Sequence, residues 1–132
     1  MQLGGDSRDL YWFRDEVLDF VYSSHVLEDF DENETEPVVR EWLRVLKPGG
    51  RLILLLPDQP RYVAHCERTG AGPNLHHSIE HFSLAYVRDV AERIGGAEVE
   101  HEEPELGDYS FLVVFRNVHL AVGRELELHC FV

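Results

Sequence analysis

The stretch WLRVLKPGGRLILLLP, residues 42–57, decides the fold. Val38, Trp42, Val45 and Leu46 recur at helical spacing and give one apolar stripe, the mark of a helix packed on a core. Lys47 suits the negative end of that helix. Pro48-Gly49-Gly50 then stops it and turns the chain. Residues 51–56, RLILLL, are the most hydrophobic run in the protein, and their bounds in Gly-Gly and Pro57 predict a buried central strand.

Upstream, the helix is expected to begin near Thr35 as N-cap, with Pro37 in its first turn. The acidic run EDFDENETE, residues 28–36, is expected to be a solvated loop before it, or else an acidic docking site. A first strand is predicted over residues 17–23 (VLDFVYS), apolar enough to be covered on both faces. Downstream, residues 58–82 carry His, Pro and Gly and predict irregular structure. Ser83 caps a second helix with Leu84, Val87, Val90 and Ile94 on its core stripe, ended by Gly95-Gly96. Residues 98–102 and 109–115 predict a strand pair around a turn with Pro104 and Gly107. The tail, 117–132, predicts a further hairpin through Gly123-Arg124. Strand and helix alternate, then strands follow, so the class is α/β in one domain spanning residues 1–132.

Composition narrows the function. The chain has 132 residues, 44% hydrophobic and 28% charged, with a formal net charge of -13. That field repels polyanions and argues against nucleic acid as principal partner. No apolar run approaches the roughly 20 residues that cross a bilayer. The first residues lack signal-peptide character, so a cytoplasmic protein is expected. Cys66 and Cys130 fit no metal or redox spacing and are expected as free thiols in a reducing compartment.

Four segments, in order, resemble the class I S-adenosylmethionine-dependent methyltransferases, above all the small-molecule group typified by ubiquinone-biosynthesis enzymes. They are Gly5-Asp6-Ser7-Arg8-Asp9-Leu10 with Phe13 and Asp15, residues 18–28 (LDFVYSSHVLE), residues 42–53 (WLRVLKPGGRLI), and His81-Phe82-Ser83 leading to Ile94-Gly95. The third is the most specific. The resemblance implies a truncated Rossmann-like sheet with the family's fourth to seventh strands and flanking helices, the last strands antiparallel. Residues 1–16 would be the remnant of the adenine-binding segment, 17–116 the core, and 117–132 an extra segment. The family's glycine-rich loop and its ribose-holding carboxylate have no counterpart in the sequence.

The resemblance implies S-adenosylmethionine as cofactor. Asp6 would accept from the adenine amino group and the Ser7 N–H would contact the ring; otherwise Asp6 is a loop carboxylate. Ser23, Ser24 and His25 end the first strand where open α/β sheets bind ligands, or simply form a turn. Asp58, after the central strand, is a candidate to orient a substrate or act as base, or is a solvated loop Asp. His77 and His81 are four apart and lie in the region that covers substrate in the family. No carboxylate or Cys completes a recognised ligand pattern with them, so no metal is expected.

Three functional readings follow. The first is methyl transfer to an unidentified small molecule. The second is a non-catalytic interaction protein on half the fold. In the complete fold the fourth strand pairs with the first, so residues 17–23, from Val17 at one end to Ser23 at the other, would form an exposed apolar edge. Two such edges meeting about a two-fold axis predict a homodimer. The third is a fragment of a longer gene product that begins upstream of Met1.

Overall fold

The structure, a computed structural model, describes residues 5–118. The elements run β1 (Leu18–Ser24), a 3-10 turn (Leu27–Asp29), α1 (Glu32–Arg44), β2 (Leu46–Pro57), α2 (Gln59–Thr69), α3 (Leu84–Ile94), β3 (Ala97–Leu106) and β4 (Ser110–Asn117). They form one four-stranded sheet in the order β1-β2-β4-β3. β1 runs parallel to β2, and β4 is antiparallel to both β2 and β3, as expected for the last strands.

One face of the sheet carries the core. Leu52, Leu54 and Leu56 of β2 pair with Phe115, Val113 and Phe111 of β4, and all six are fully buried. Val38, Val39 and Trp42 of α1 and Val87, Val90 and Ala91 of α3 join the same cluster. Each such side chain contributes about 1.5–3 kcal/mol when taken out of water. The other face is less protected. Ile53, Leu55, Leu112 and Val114 are half-buried, while Phe20 and Tyr22 of β1 are 61% and 56% exposed. The expectation that β1 is covered on both faces is therefore corrected. Among the described residues β1 pairs only with β2, so its outer edge is open.

The N-cap of helix α1 lies four residues before the expected one. Asp31, not Thr35, is the N-cap: its Oδ1 accepts from the Glu34 N–H (2.9 Å), and the Glu34 carboxylate accepts from the Asp31 N–H (3.3 Å). This reciprocal box satisfies two orphan donors. Much of the acidic run is thus helix, with Glu32 and Glu34 favoured in the first turn by the dipole. Pro37 lies inside the helix rather than in its first turn. Buried Thr35 instead ties α1 to α3, its Oγ1 accepting from the Tyr86 hydroxyl at 3.2 Å.

Pro48-Gly49-Gly50 is not a turn between helix and strand. The helix ends at Arg44, so Val45 and Leu46 leave it, and β2 begins at Leu46 opposite Leu18. The next pairing is Phe20 with Arg51, so residues 47–50 loop out as a bulge, with Gly49 at φ 82°. A Cβ on Gly50 would meet the Lys47 and Asp19 carbonyl oxygens at 2.8 and 3.0 Å. Glycine is required there by backbone approach.

Residues 58–82 are not wholly irregular, because α2 occupies eleven of them. Asp58 caps α2, accepting from the Arg61 N–H at 3.0 Å, and Gly70 ends it at φ 72°. Cys66 is a buried free thiol in this helix. Strand β3 extends past the expected bounds to Ala97 and Leu106, with Pro104 tolerated on an edge strand, and β4 runs on to Asn117. The expected hairpin at Gly123-Arg124 and Cys130 lie outside the described residues. No described helix is long and apolar enough to cross a membrane.

Candidate functional site

The segment before β1 is fastened to α1. The Trp42 indole N–H donates to the Ser7 carbonyl (2.8 Å), and the Leu10 N–H donates to Glu41 Oε2 (2.8 Å). Arg44 donates to the Phe13 and Leu10 carbonyls and pairs with Asp15. Arg8 closes on the Asp6 carboxylate through Nε and Nη2 and reaches Glu34 with Nη1 (2.8 Å). Its guanidinium lies over the Phe30 ring. This places Asp6 beside the start of α1, at the C-terminal end of β1. The Arg8 hydrogen bonds hold the Asp6 carboxyl far below its usual range, at about 2.

Ser23, Ser24 and His25 end β1 at the same side of the sheet. Ser23 is buried, and its Oγ has no hydrogen-bond partner among the described residues. His25 sits at φ 54°, its N–H donating to the Leu55 carbonyl (2.9 Å), so the chain turns sharply off the strand. Its ring meets Tyr109 edge-on at 6.5 Å, and Tyr109 in turn meets Tyr62 and His65 at 5.2 and 5.0 Å. This aromatic rim crosses the C-terminal ends of β1 and β2, where ligands bind in open α/β sheets.

Behind the rim lies a buried polar cluster that the sequence reading missed. Glu28 is 3% exposed, and one of its oxygens, Oε2, has no hydrogen-bond partner among the described residues. Burial, with a smaller push from Asp29, raises its carboxyl to about 7. His77 Nε2 lies 4.0 Å from Glu28 Oε1 and 3.6 Å from Asp29 Oδ1. The other ring nitrogen, Nδ1, is 3.0 Å from Gln59 Oε1. Burial lowers the His77 pKa, with Asp29 acting against it.

His77 and His81 do not share a helix face. Both lie in the loop before α3, and they point to different partners. His77 packs on Tyr62 at 4.8 Å, whereas exposed His81 lies 3.6 Å from Glu32 and edge-on to Tyr86. His81 lines a shallow hollow with Asp31, Glu32 and Ile79. Asp58 stands at the same end of the sheet, engaged as the cap of α2. A cavity of 490 Å³, lined by Glu16, Arg44, Ile94 and Asn117 among others, sits at the opposite end of the sheet, away from every predicted site residue.

Comparison with known proteins agrees with this architecture. A family described as a methyltransferase domain matches residues 2–54. An S-adenosylmethionine-dependent methyltransferase from Methanosarcina mazei superposes with a TM-score of 0.66 at 19% identity, over 88% of this chain and 66% of its own. One from Aquifex aeolicus gives 0.64 at 22% identity, over 88% and 54%. A methyltransferase from Haloferax volcanii, in complex with the Trm112 methyltransferase activator, gives 0.64 at 21%, over 90% and 61%. No curated protein matches the sequence. The chain shares the fold of these methyltransferases over part of their length. It spans between 54% and 66% of the length of these three structures.

Asp6, the Ser7 backbone and the Ser23 Oγ, which would face the adenosine of an S-adenosylmethionine cofactor, lie toward one end of the sheet. A glycine-rich loop to admit the methionine end is absent from the described residues.

Proposed function

We propose that the chain works in S-adenosylmethionine-dependent methyl transfer to a small-molecule acceptor, supplying the adenine side of the cofactor cleft. The observation that carries this reading is the placement of Asp6 and the Ser23–His25 turn at one sheet end. The Arg8, Trp42 and Glu41 bonds hold the first of these segments there. The cofactor's sulfonium supplies an already activated methyl group. The protein's task is to align the acceptor, exclude water and take up a proton.

Asp6, Ser7, Ser23, Ser24 and His25 are assigned to the cofactor, and Asp58, His77 and His81 to the acceptor. The methionine end of the cleft is completed by polypeptide paired along the open β1 edge. The work belongs in the cytoplasm, where Cys66 stays reduced. Equilibrium dialysis against radiolabelled S-adenosylmethionine tests the reading. Retention that unlabelled S-adenosylhomocysteine displaces supports it, and no retention at millimolar cofactor contradicts it.

A second reading rests on β1 itself. Phe20 and Tyr22 are exposed on a strand whose outer edge has no pairing among the described residues. A second copy pairing over residues 17–23 would bury both and join two sheets into one. The chain would then serve as a dimeric interaction protein on part of the fold. The Haloferax volcanii relative, in complex with an activator, is a precedent for a partnered protein of this fold.

A further inference from the structure

We propose that Glu28, Asp29 and His77 form a binding site for a divalent transition-metal cation. Their ligand atoms all lie within 4.8 Å of one another. Glu28 is 3% exposed, and its Oε2 has no hydrogen-bond partner among the described residues. A buried carboxylate oxygen left so is costly and calls for a cation or a donor.

Among the described residues no donor reaches Glu28 Oε2. The Gln59 amide oxygen lies 3.0 Å from His77 Nδ1, and a ring proton donated to it from Nδ1 leaves Nε2 to present its lone pair. That lone pair is 3.6 Å from Asp29 Oδ1 and 4.0 Å from Glu28 Oε1, beyond hydrogen-bond reach. Three potential ligand atoms thus converge within reach of one cation. Ligands about 2.0–2.2 Å from a tetrahedral ion stand about 3.3–3.6 Å apart, so a small inward movement closes the set.

The second shell is in place. Gln59 is buried, with its backbone N–H donating to the Phe82 carbonyl (2.8 Å), and Tyr62 packs against the imidazole. Such a partner fixes the tautomer and orientation of a ligating His. One imidazole with two carboxylates suits Zn²⁺, Co²⁺ or Mn²⁺ better than Ca²⁺ or Mg²⁺, which favour all-oxygen shells. Positions left on the ion are open to water or another oxygen ligand, with His25 bordering them: its Nδ1 is 3.7 Å from Glu28 Oε1. The site stands on this geometry and not on the methyl-transfer reading.

The test uses the full chain, stripped with chelator and titrated with Zn²⁺ by calorimetry and Co²⁺ by visible absorption. Stoichiometric binding to the wild type is expected. Asp29→Asn, His77→Gln and Glu28→Gln should each weaken it more than about tenfold. His101→Ala, on exposed β3, should leave it unchanged. Circular dichroism checks folding. Asp29 is 41% exposed, so Asp29→Asn decides the matter should a buried variant unfold. Absence of stoichiometric binding, or equal affinity in Asp29→Asn and wild type, would overturn the site.

Discussion

Arg8 grips Asp6 through Nε and Nη2, with Nη2 at 2.7 Å from Oδ2, and the same guanidinium reaches Glu34 at 2.8 Å. The residue assigned to adenine is therefore already occupied by a cation from its own loop. Cofactor binding must share or displace that contact. Arg8→Ala should raise affinity for S-adenosylhomocysteine several-fold in a calorimetric titration. It should hardly move the thermal midpoint, because this pair is exposed and exposed pairs contribute little. A fall in affinity would mean that Arg8 itself helps hold the cofactor.

Glu28 gives a pH dependence of defined sign. Its carboxyl rises from 4.5 to about 7 on folding, so the native state holds a proton that the unfolded chain releases. The contribution is fully present below pH about 4.5 and is lost as pH rises toward 7, amounting to about 3 kcal/mol. In chelator-containing buffer, Glu28→Gln should be more stable than wild type at pH 8 and no more stable at pH 4. Urea unfolding at the two pH values measures both, and an unchanged difference between them would reject the burial argument.

Helix α1 offers a local test of where it starts. Asp31→Ala removes the capping box and should cost about 1 kcal/mol in urea unfolding. A neutral result would return the cap to Thr35.

The bulge at residues 47–50 predicts a contrast between neighbours. A methyl at Gly50 meets two backbone oxygens that cannot swing aside, whereas Gly49 has open space but a positive φ. Gly49→Ala should cost roughly 1–2 kcal/mol from backbone strain alone, and Gly50→Ala more. Thermal unfolding of the two variants compares them directly.

Residues 51–56 were legible because their composition agrees with their burial, whereas Val45 and Leu46, expected on the helix stripe, lie past its end because β2 begins at Leu46. Leu52, Leu54 and Leu56 read as a buried strand and are one, and the antiparallel last strands that the resemblance implied are found. Two misreadings have physical causes. Asp31 and Glu34 carry a capping-box spacing, but the surrounding charge made them look like solvated loop. Helix α2 has little apolar periodicity, since its polar residues face the β3–β4 turn, where Arg61 donates to the Pro104 and Ser110 carbonyls. The Glu28–His77 cluster was invisible because these two members are 49 positions apart in sequence and meet only across the sheet end.

The open β1 edge predicts self-association. Wild-type protein should run as a dimer at micromolar concentration in analytical ultracentrifugation. The double variant Phe20→Lys, Tyr22→Lys should run as a monomer, since both side chains stand on the exposed strand. A monomeric wild type would remove the dimer reading.

The central claim is that this part of the fold still holds the cofactor, and titrating S-adenosylhomocysteine into wild type and Asp6→Asn tests it most directly. The account predicts micromolar binding to the wild type, weakened about tenfold or more by the loss of one charge-assisted hydrogen bond. No heat up to millimolar ligand, or equal binding by both proteins, would contradict it.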